Sequence, residues 1–201
     1  MSKGLLIGLG VVVVLVLAGL GLVGRYNDLV GLEEGVDAQW GNVQTAYQRR
    51  ADLIPNLVAT VKGYAEHEQE TLTAVIEARA KATQMTNQIT PETLNDPQML
   101  EKFEAAQSGL SSVLSRLMVT VERYPDLKAN AQFQDLQNQL EGTENRISVE
   151  RRRFNEAAQG YNATIRRFPA SIIAGMFGFD KKAYFAASEA AQDAPTVDFG
   201  K

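Results

Sequence analysis

Apolar positions recur by sevens across residues 29–78. Leu29, Val36, Val43, Arg50, Leu57 and Tyr64 form one row, and Leu32, Trp40, Tyr47, Ile54 and Val61 form a second about half a heptad away. This is the spacing of a helix packed on other helices along a long seam. The rows run through Pro55. A proline inside a helix removes one hydrogen bond and crowds the carbonyl four residues back, here Ala51. The pattern predicts either one helix kinked at Pro55 or two helices in register, ending near Met85, with Asp52 and Asn56 relieving local strain.

Residues 86–98 are polar and carry Pro91 and Pro97. Thr90 and Asp96 each read as an N-cap followed by proline at the first helical position, so a short helical turn is expected between them. Phe103, Leu110, Leu117 and Tyr124 then recur by sevens, with Gln107, Leu114 and Val121 between them. They predict a helix from Pro97 to Tyr124, stopped by Pro125, which pushes Tyr124 out of helical geometry. A last long helix is predicted over 126–168, with Phe133, Leu136, Leu140, Ile147, Phe154, Ala158, Tyr161, Ile165 and Phe168 as its seam. The expected fold is all-α: an antiparallel bundle of three or four long helices with coiled-coil-like seams.

Residues 4–24 contain no charged side chain. Crossing a bilayer core takes about 20 apolar residues, and this run reaches that length between Lys3 and Arg25. The apolar region of a cleaved signal peptide, the rival reading, spans only about 7–15 residues, and Gly19-Leu20-Gly21 makes a poor cleavage site. The expected division is a transmembrane anchor at 1–25, the bundle at 26–168, and an aromatic segment with a tail at 169–201. Basic residues orient a span. Lys3 and the α-amino group precede this one, while Arg25 is followed by Asp28, Glu33, Glu34 and Asp37. That balance favours a cytoplasmic N-terminus with the bundle outside the cytoplasm. Gly31, Gly35 and Gly41 weaken the helix beyond the span by about 1 kcal/mol each relative to alanine. They are read as flexibility near the membrane or as close packing.

Composition narrows the function. The chain has 24 acidic and 20 basic residues, a net charge of -4 and no cysteine. This argues against a dedicated nucleic-acid binder and removes disulfides, thiolate metal sites and a thiol nucleophile.

The run Arg49-Arg50-x-Asp52-Leu53-Ile54-Pro55-Asn56-Leu57-Val58 resembles the hallmark of the LemA family of bacterial membrane-anchored helical proteins. So do Glu122-x-Tyr124-Pro125-x-Leu127, Leu140-Glu141-x-x-Glu144-Asn145-Arg146-Ile147, Arg153-Phe154-Asn155, Tyr161-Asn162, Phe168-Pro169, Gly178-Phe179 with Tyr184-Phe185, and Pro195-Thr196-Val197-Asp198-Phe199. Position 154 departs mildly, since the family more often has tyrosine there. The resemblance covers nearly the whole chain and implies a helical bundle at the bacterial inner membrane. In lipid-anchored relatives a cysteine precedes a segment resembling Tyr26-Asn27-Asp28-Leu29, which favours a periplasmic or other extracytoplasmic bundle. The family has no agreed biochemical activity, so the resemblance implies no reaction.

The residues themselves offer few candidates for chemistry. His67, the sole histidine, lies among Glu66, Glu68 and Glu70. Only Glu70 shares its helical face, too few ligands for a metal site, and no cofactor is expected. The arginines at 146, 151, 152, 153, 166 and 167 read as a charged face paired with Glu141, Glu144 and Glu150. Binding to an acidic partner or lipid headgroups is the competing reading. Asn155 and Asn162, seven apart, join Arg50, Asp52 and Asn56 as candidates for a polar layer that fixes helix register. Trp40, Pro55, Tyr124 and Pro125 are the other structural candidates. The cluster at Ile172, Ile173, Met176, Phe177, Phe179, Tyr184 and Phe185 reads as a bundle cap or subunit contact. Its glycines and weak basicity argue against a lipid-interfacial helix.

Long seams without a nucleophile–base pair predict a non-enzymatic, membrane-anchored scaffold that self-assembles, with no small-molecule substrate. The alternatives are an adaptor presenting the bundle to a membrane protease or signalling partner, and a hydrolase using carboxylates such as Glu66 and Glu70.

Overall fold

The computed structural model describes residues 3–65 and 67–186. Glu66 and the terminal Pro195–Phe199 motif lie outside the described residues. The elements are α1 (Lys3–Lys62), α2 (Gln69–Gln88), a 3-10 turn (Pro91–Asn95), α3 (Pro97–Val121), α4 (Pro125–Lys128), α5 (Ala131–Ile165) and α6 (Ala170–Phe177). Among the described residues there is no strand. Helices α1, α2, α3 and α5 run up and down as a four-helix bundle, α1 packed most extensively on α5 and α2 on α3.

Pro55 does not break α1. The helix runs on to Lys62, and the Ala51 carbonyl, which Pro55 has no N–H to serve, accepts a 2.7 Å hydrogen bond from Arg79 Nε on α2. The expected relief from Asp52 and Asn56 is absent. Asp52 accepts from Gln48 Nε2 at 2.7 Å, and the Asn56 carbonyl accepts from Thr60 Oγ1 at 2.8 Å. The chain reverses between α1 and α2 instead. Of the two expected forms the stretch is two helices, but they are antiparallel and divide after Lys62 and not at Pro55. The reversal is sealed by Ala65, buried, whose N–H donates to the Val61 carbonyl at 2.9 Å. His67 is exposed in this turn.

The later boundaries follow local capping chemistry. Thr90 and Thr93 satisfy each other at the start of the 3-10 turn. Asp96 accepts from Gln98 N at the start of α3, and Asn130 from Phe133 N at the start of α5. Pro125 opens α4, so the expected helix from 126 is delayed to Ala131. Gly31, Gly35 and Gly41 have nothing within 4 Å of where a Cβ would sit, which removes close packing as their reason.

The core falls into two halves. The membrane-end half contains Leu29, Val36, Trp40, Val43, Tyr47, Phe103, Phe154 and Tyr161. The distal half contains Ile54, Leu57, Val61, Val75, Leu110, Leu117 and Leu140. The predicted seams hold except at their ends. Leu32 is 37% exposed, Tyr64 45% and Phe168 82%. Leu32 is off the register that ends in Trp40, where the heptad position is Glu33, and Phe168 lies beyond the end of α5.

Candidate functional site: a clamped strap at the membrane end

Between the two core halves sits a polar layer centred on Arg50, which is 2% exposed. Its Nη1 donates to Glu144 Oε2 on α5 at 2.9 Å and to Ser111 Oγ on α3 at 3.0 Å. Its Nη2 donates to Gln107 Oε1 at 2.5 Å. Gln107 Nε2 in turn donates to Thr86 Oγ1 at 3.0 Å and the Ala82 carbonyl at 3.2 Å, both on α2. One guanidinium thus ties four helices into one register. Asp52 and Asn56 are exposed and outside this layer. At the distal end, Tyr124 donates to Glu68 Oε1 at 2.9 Å, which also receives Arg123 at 3.0 Å. The Glu68 carboxylate holds the Tyr124 phenol above its ordinary pKa.

Asn155 and Asn162 serve a different purpose from the polar layer. After α6, Gly178 takes a left-handed backbone (φ 76°) that only glycine adopts without strain, and the chain turns back along α5 as an extended strap, residues 179–186. Asn162 Nδ2 donates to the Lys182 carbonyl at 2.8 Å, and Asn162 Oδ1 accepts from Lys182 N at 2.9 Å. Asn155 repeats the pair on Phe185, at 3.0 Å and 2.9 Å. The spacing is matched: seven residues of helix advance about 10.5 Å, and three of extended chain about 10 Å. On the strap's other side, Ala183 N donates to the Leu94 carbonyl at 2.8 Å.

Side chains complete the clamp. Phe185 enters an aromatic box made by Trp40, Phe103 and Phe154, with ring centroids 6.1, 6.2 and 5.4 Å away. Arg151 lies over the Phe185 ring at 4.6 Å and pairs with Glu104. Burial raises the pKa of the Glu104 carboxyl, with Arg151 opposing it. Lys182, buried, reaches Glu33 Oε1 at 2.9 Å. Burial also raises Asp37, against the pull of Lys182, and raises the Tyr161 phenol, assisted by the charges of Glu33, Asp180 and Asp37. The arginine-rich face of α5 is largely self-paired: buried Glu150 receives Arg146 at 2.9 Å and Arg153 at 3.2 Å.

The aromatic C-terminal cluster is split. Ile173 and Phe185 are core, while Ile172, Met176 and Phe177 are exposed. Phe177 and Phe179 meet Tyr26, at 4.9 and 5.6 Å between ring centroids, where α1 leaves its apolar run. Sequence reading missed Arg79 and Lys182 and gave Glu33 no role beyond the acidic flank, whereas it had already paired Glu150 with the arginine face. Gln107, a polar residue standing in an apolar row, was the available signal for the buried layer.

The chemistry of this arrangement is binding and holding. Its polar groups address main-chain atoms and each other, and α1 carries an apolar segment long enough to cross a membrane. The LemA family's sequence profile matches residues 39–199. The chain is 27% identical over 187 residues to the magnetosome protein MamQ 2 of Paramagnetospirillum magneticum, covering 86% of this chain and 68% of that one. It is 27% identical over 175 residues to the magnetosome protein MamQ of Magnetospirillum gryphiswaldense, covering 80% and 64%. Protein LemA of Metamycoplasma hominis is 26% identical over 167 residues, covering 83% and 71%. With the hallmark around Pro55 inside the matched region and the helical bundle built on it, the chain is a membrane-associated helical protein that belongs to the LemA family.

Proposed function

We propose that the protein is a non-enzymatic scaffold of the bacterial cell envelope, a single-pass inner-membrane protein whose bundle stands outside the cytoplasm and assembles with copies of itself. The observation that carries this reading is the continuity of α1. One helix runs from the apolar segment into both halves of the core, so the bundle is held in a fixed stance and not on a loose tether. Anchoring confines all copies to one surface and raises their effective concentration for pairing. Of the buried ionic groups, Arg50 is spent on register, Lys182 on the strap and Glu150 on pairing within α5, and no name among these relatives states a reaction. In this reading the functional division is the anchor at 1–25 and a bundle that includes the strap.

Light scattering of the full chain, purified in mild detergent, tests the proposal. A discrete assembly of several copies is expected. A monomer that copurifies with another membrane protein would instead favour an adaptor.

A further inference from the structure

Helix α6 has two faces. Ala170, Ile173 and Ala174 are buried against the membrane-end core. Ile172 and Met176, one turn apart on the opposite side, are 52% and 74% exposed, and Phe168 just before the helix is 82% exposed. Apolar surface of this size is costly in water and marks an interaction site. Elsewhere beyond the apolar run, exposed large apolar residues such as Ile76 and Val119 are scattered on separate helices.

The position of this face identifies its partner. Tyr26 follows Arg25, which closes the uncharged run of residues 4–24, and the Tyr26 ring meets both Phe177 and Phe179. Helix α6 is therefore pinned beside α1 within a turn or two of the bilayer boundary. The headgroup layers add about 5–8 Å to each side of the hydrocarbon core, and an interfacial helix sinks its apolar face about 5–10 Å into that boundary. Exposed Arg166 and Arg167 immediately precede α6 and Lys181 follows it, basic groups suited to anionic headgroups. Asp28, Glu33, Glu34 and Asp180 are acidic residues near this end; Asp28 pairs with Arg25 at 3.4 Å and Glu33 with Lys182 at 2.9 Å. Aromatic rings at this level match the belt where such side chains partition.

We propose that α6 is a lipid-docking helix: its Phe168, Ile172 and Met176 face enters the membrane interface beside the span and braces the bundle on the bilayer. The inference rests on the anchoring reading of α1. It assigns the exposed face to lipid and not to a neighbouring copy, so self-assembly uses other surfaces. This reverses the expectation from sequence of a cap or subunit contact, because the fold sets this short helix beside Tyr26 at the end of the apolar run. The native chain has no cysteine, which allows a single environment-sensitive fluorophore to be placed cleanly. Full-length Ile172→Cys, Met176→Cys, Leu15→Cys and Glu70→Cys are labelled and reconstituted into vesicles containing brominated phospholipids. Labels at 172 and 176 are expected to lose more emission to bromine near the headgroup end of the acyl chain than to bromine near its terminus. Leu15 should show the reverse order, and Glu70, at the distal end, no quenching. Quenching at Leu15 with none at 172 and 176 overturns the docking proposal while leaving the anchor intact. Labels at 172 and 176 that are blue-shifted but unquenched assign the face to a second copy and overturn it equally. An unquenched Leu15 label overturns the anchor and the docking proposal together.

Discussion

Pro55 shows how a helix breaker is accommodated by one distant side chain. The missing N–H leaves the Ala51 carbonyl without its helical donor, and Arg79 supplies one across the α1–α2 interface at 2.7 Å. Leaving a buried acceptor unserved costs about 1–3 kcal/mol, and this is the expected loss for Arg79→Met in chemical denaturation. Pro55→Ala restores the backbone donor, so the same Arg79→Met change should cost clearly less in that background. Equal costs in both backgrounds would remove the compensation argument. Gly35, with open space around it, gives the opposite sign: Gly35→Ala should stabilise by about 0.5–1 kcal/mol. Asp37 adds a pH signature. Burial holds its folded-state pKa above the ordinary value, so the ionised carboxyl opposes folding at neutral pH. Asp37→Asn should raise the melting temperature at pH 7. The gain should shrink as pH falls through the raised pKa and vanish below the unfolded-state value.

At the scale of elements, the strap is held mainly through its backbone. Asn155 and Asn162 each satisfy one N–H and one C=O of the extended chain. Removing either amide leaves such groups unpaired, at about 1–3 kcal/mol each where they are buried. Asn162→Ala should expose residues 179–186 to limited proteolysis at a protease concentration that leaves the wild-type strap uncut, with helicity by circular dichroism retained. If the strap stays protected, the aromatic box and Lys182 hold it without the amide. Trp40→Ala attacks the box, the α1 seam and the strap together. It should cost roughly 3–5 kcal/mol, measured as the shift in denaturation midpoint.

At the scale of the whole molecule, α1 joins the apolar segment and the bundle in one continuous helix, so in the proposed reading membrane and bundle form one mechanical unit. Lys3 before the apolar run, against the acidic flank after Arg25, sets the expected topology. Alkaline phosphatase fused after Lys201 should be active, since it matures only outside the cytoplasm, and a stable but inactive fusion would reverse the orientation. An all-α bundle of long helices was legible in the sequence, with three or four helices left open. Heptads mark seams wherever neighbouring helices stay in register, and Thr90-Pro91, Asp96-Pro97 and Tyr124-Pro125 mark boundaries through the chemistry of single residues. The reversal at 63–68 was not legible, because the apolar rows continue across it on both sides and Pro55 offers a stronger local signal for a break.

The sequence alone determined the features that depend on neighbours along the chain: the apolar span, the helical seams, the proline and cap boundaries, and a charge balance without cysteine. It also singled out Arg50, Asn155 and Asn162 as polar residues in apolar company. Only the tertiary structure decided what they do. Arg50 became the hub of a four-helix layer because Gln107, Ser111 and Glu144 arrive from other helices. The two asparagines became a clamp because an extended segment returns past them. The partners of that clamp are main-chain N–H and C=O groups, which every non-proline residue carries. They leave no mark on the strap's sequence, and only folding brings residues 182 and 185 opposite residues 162 and 155.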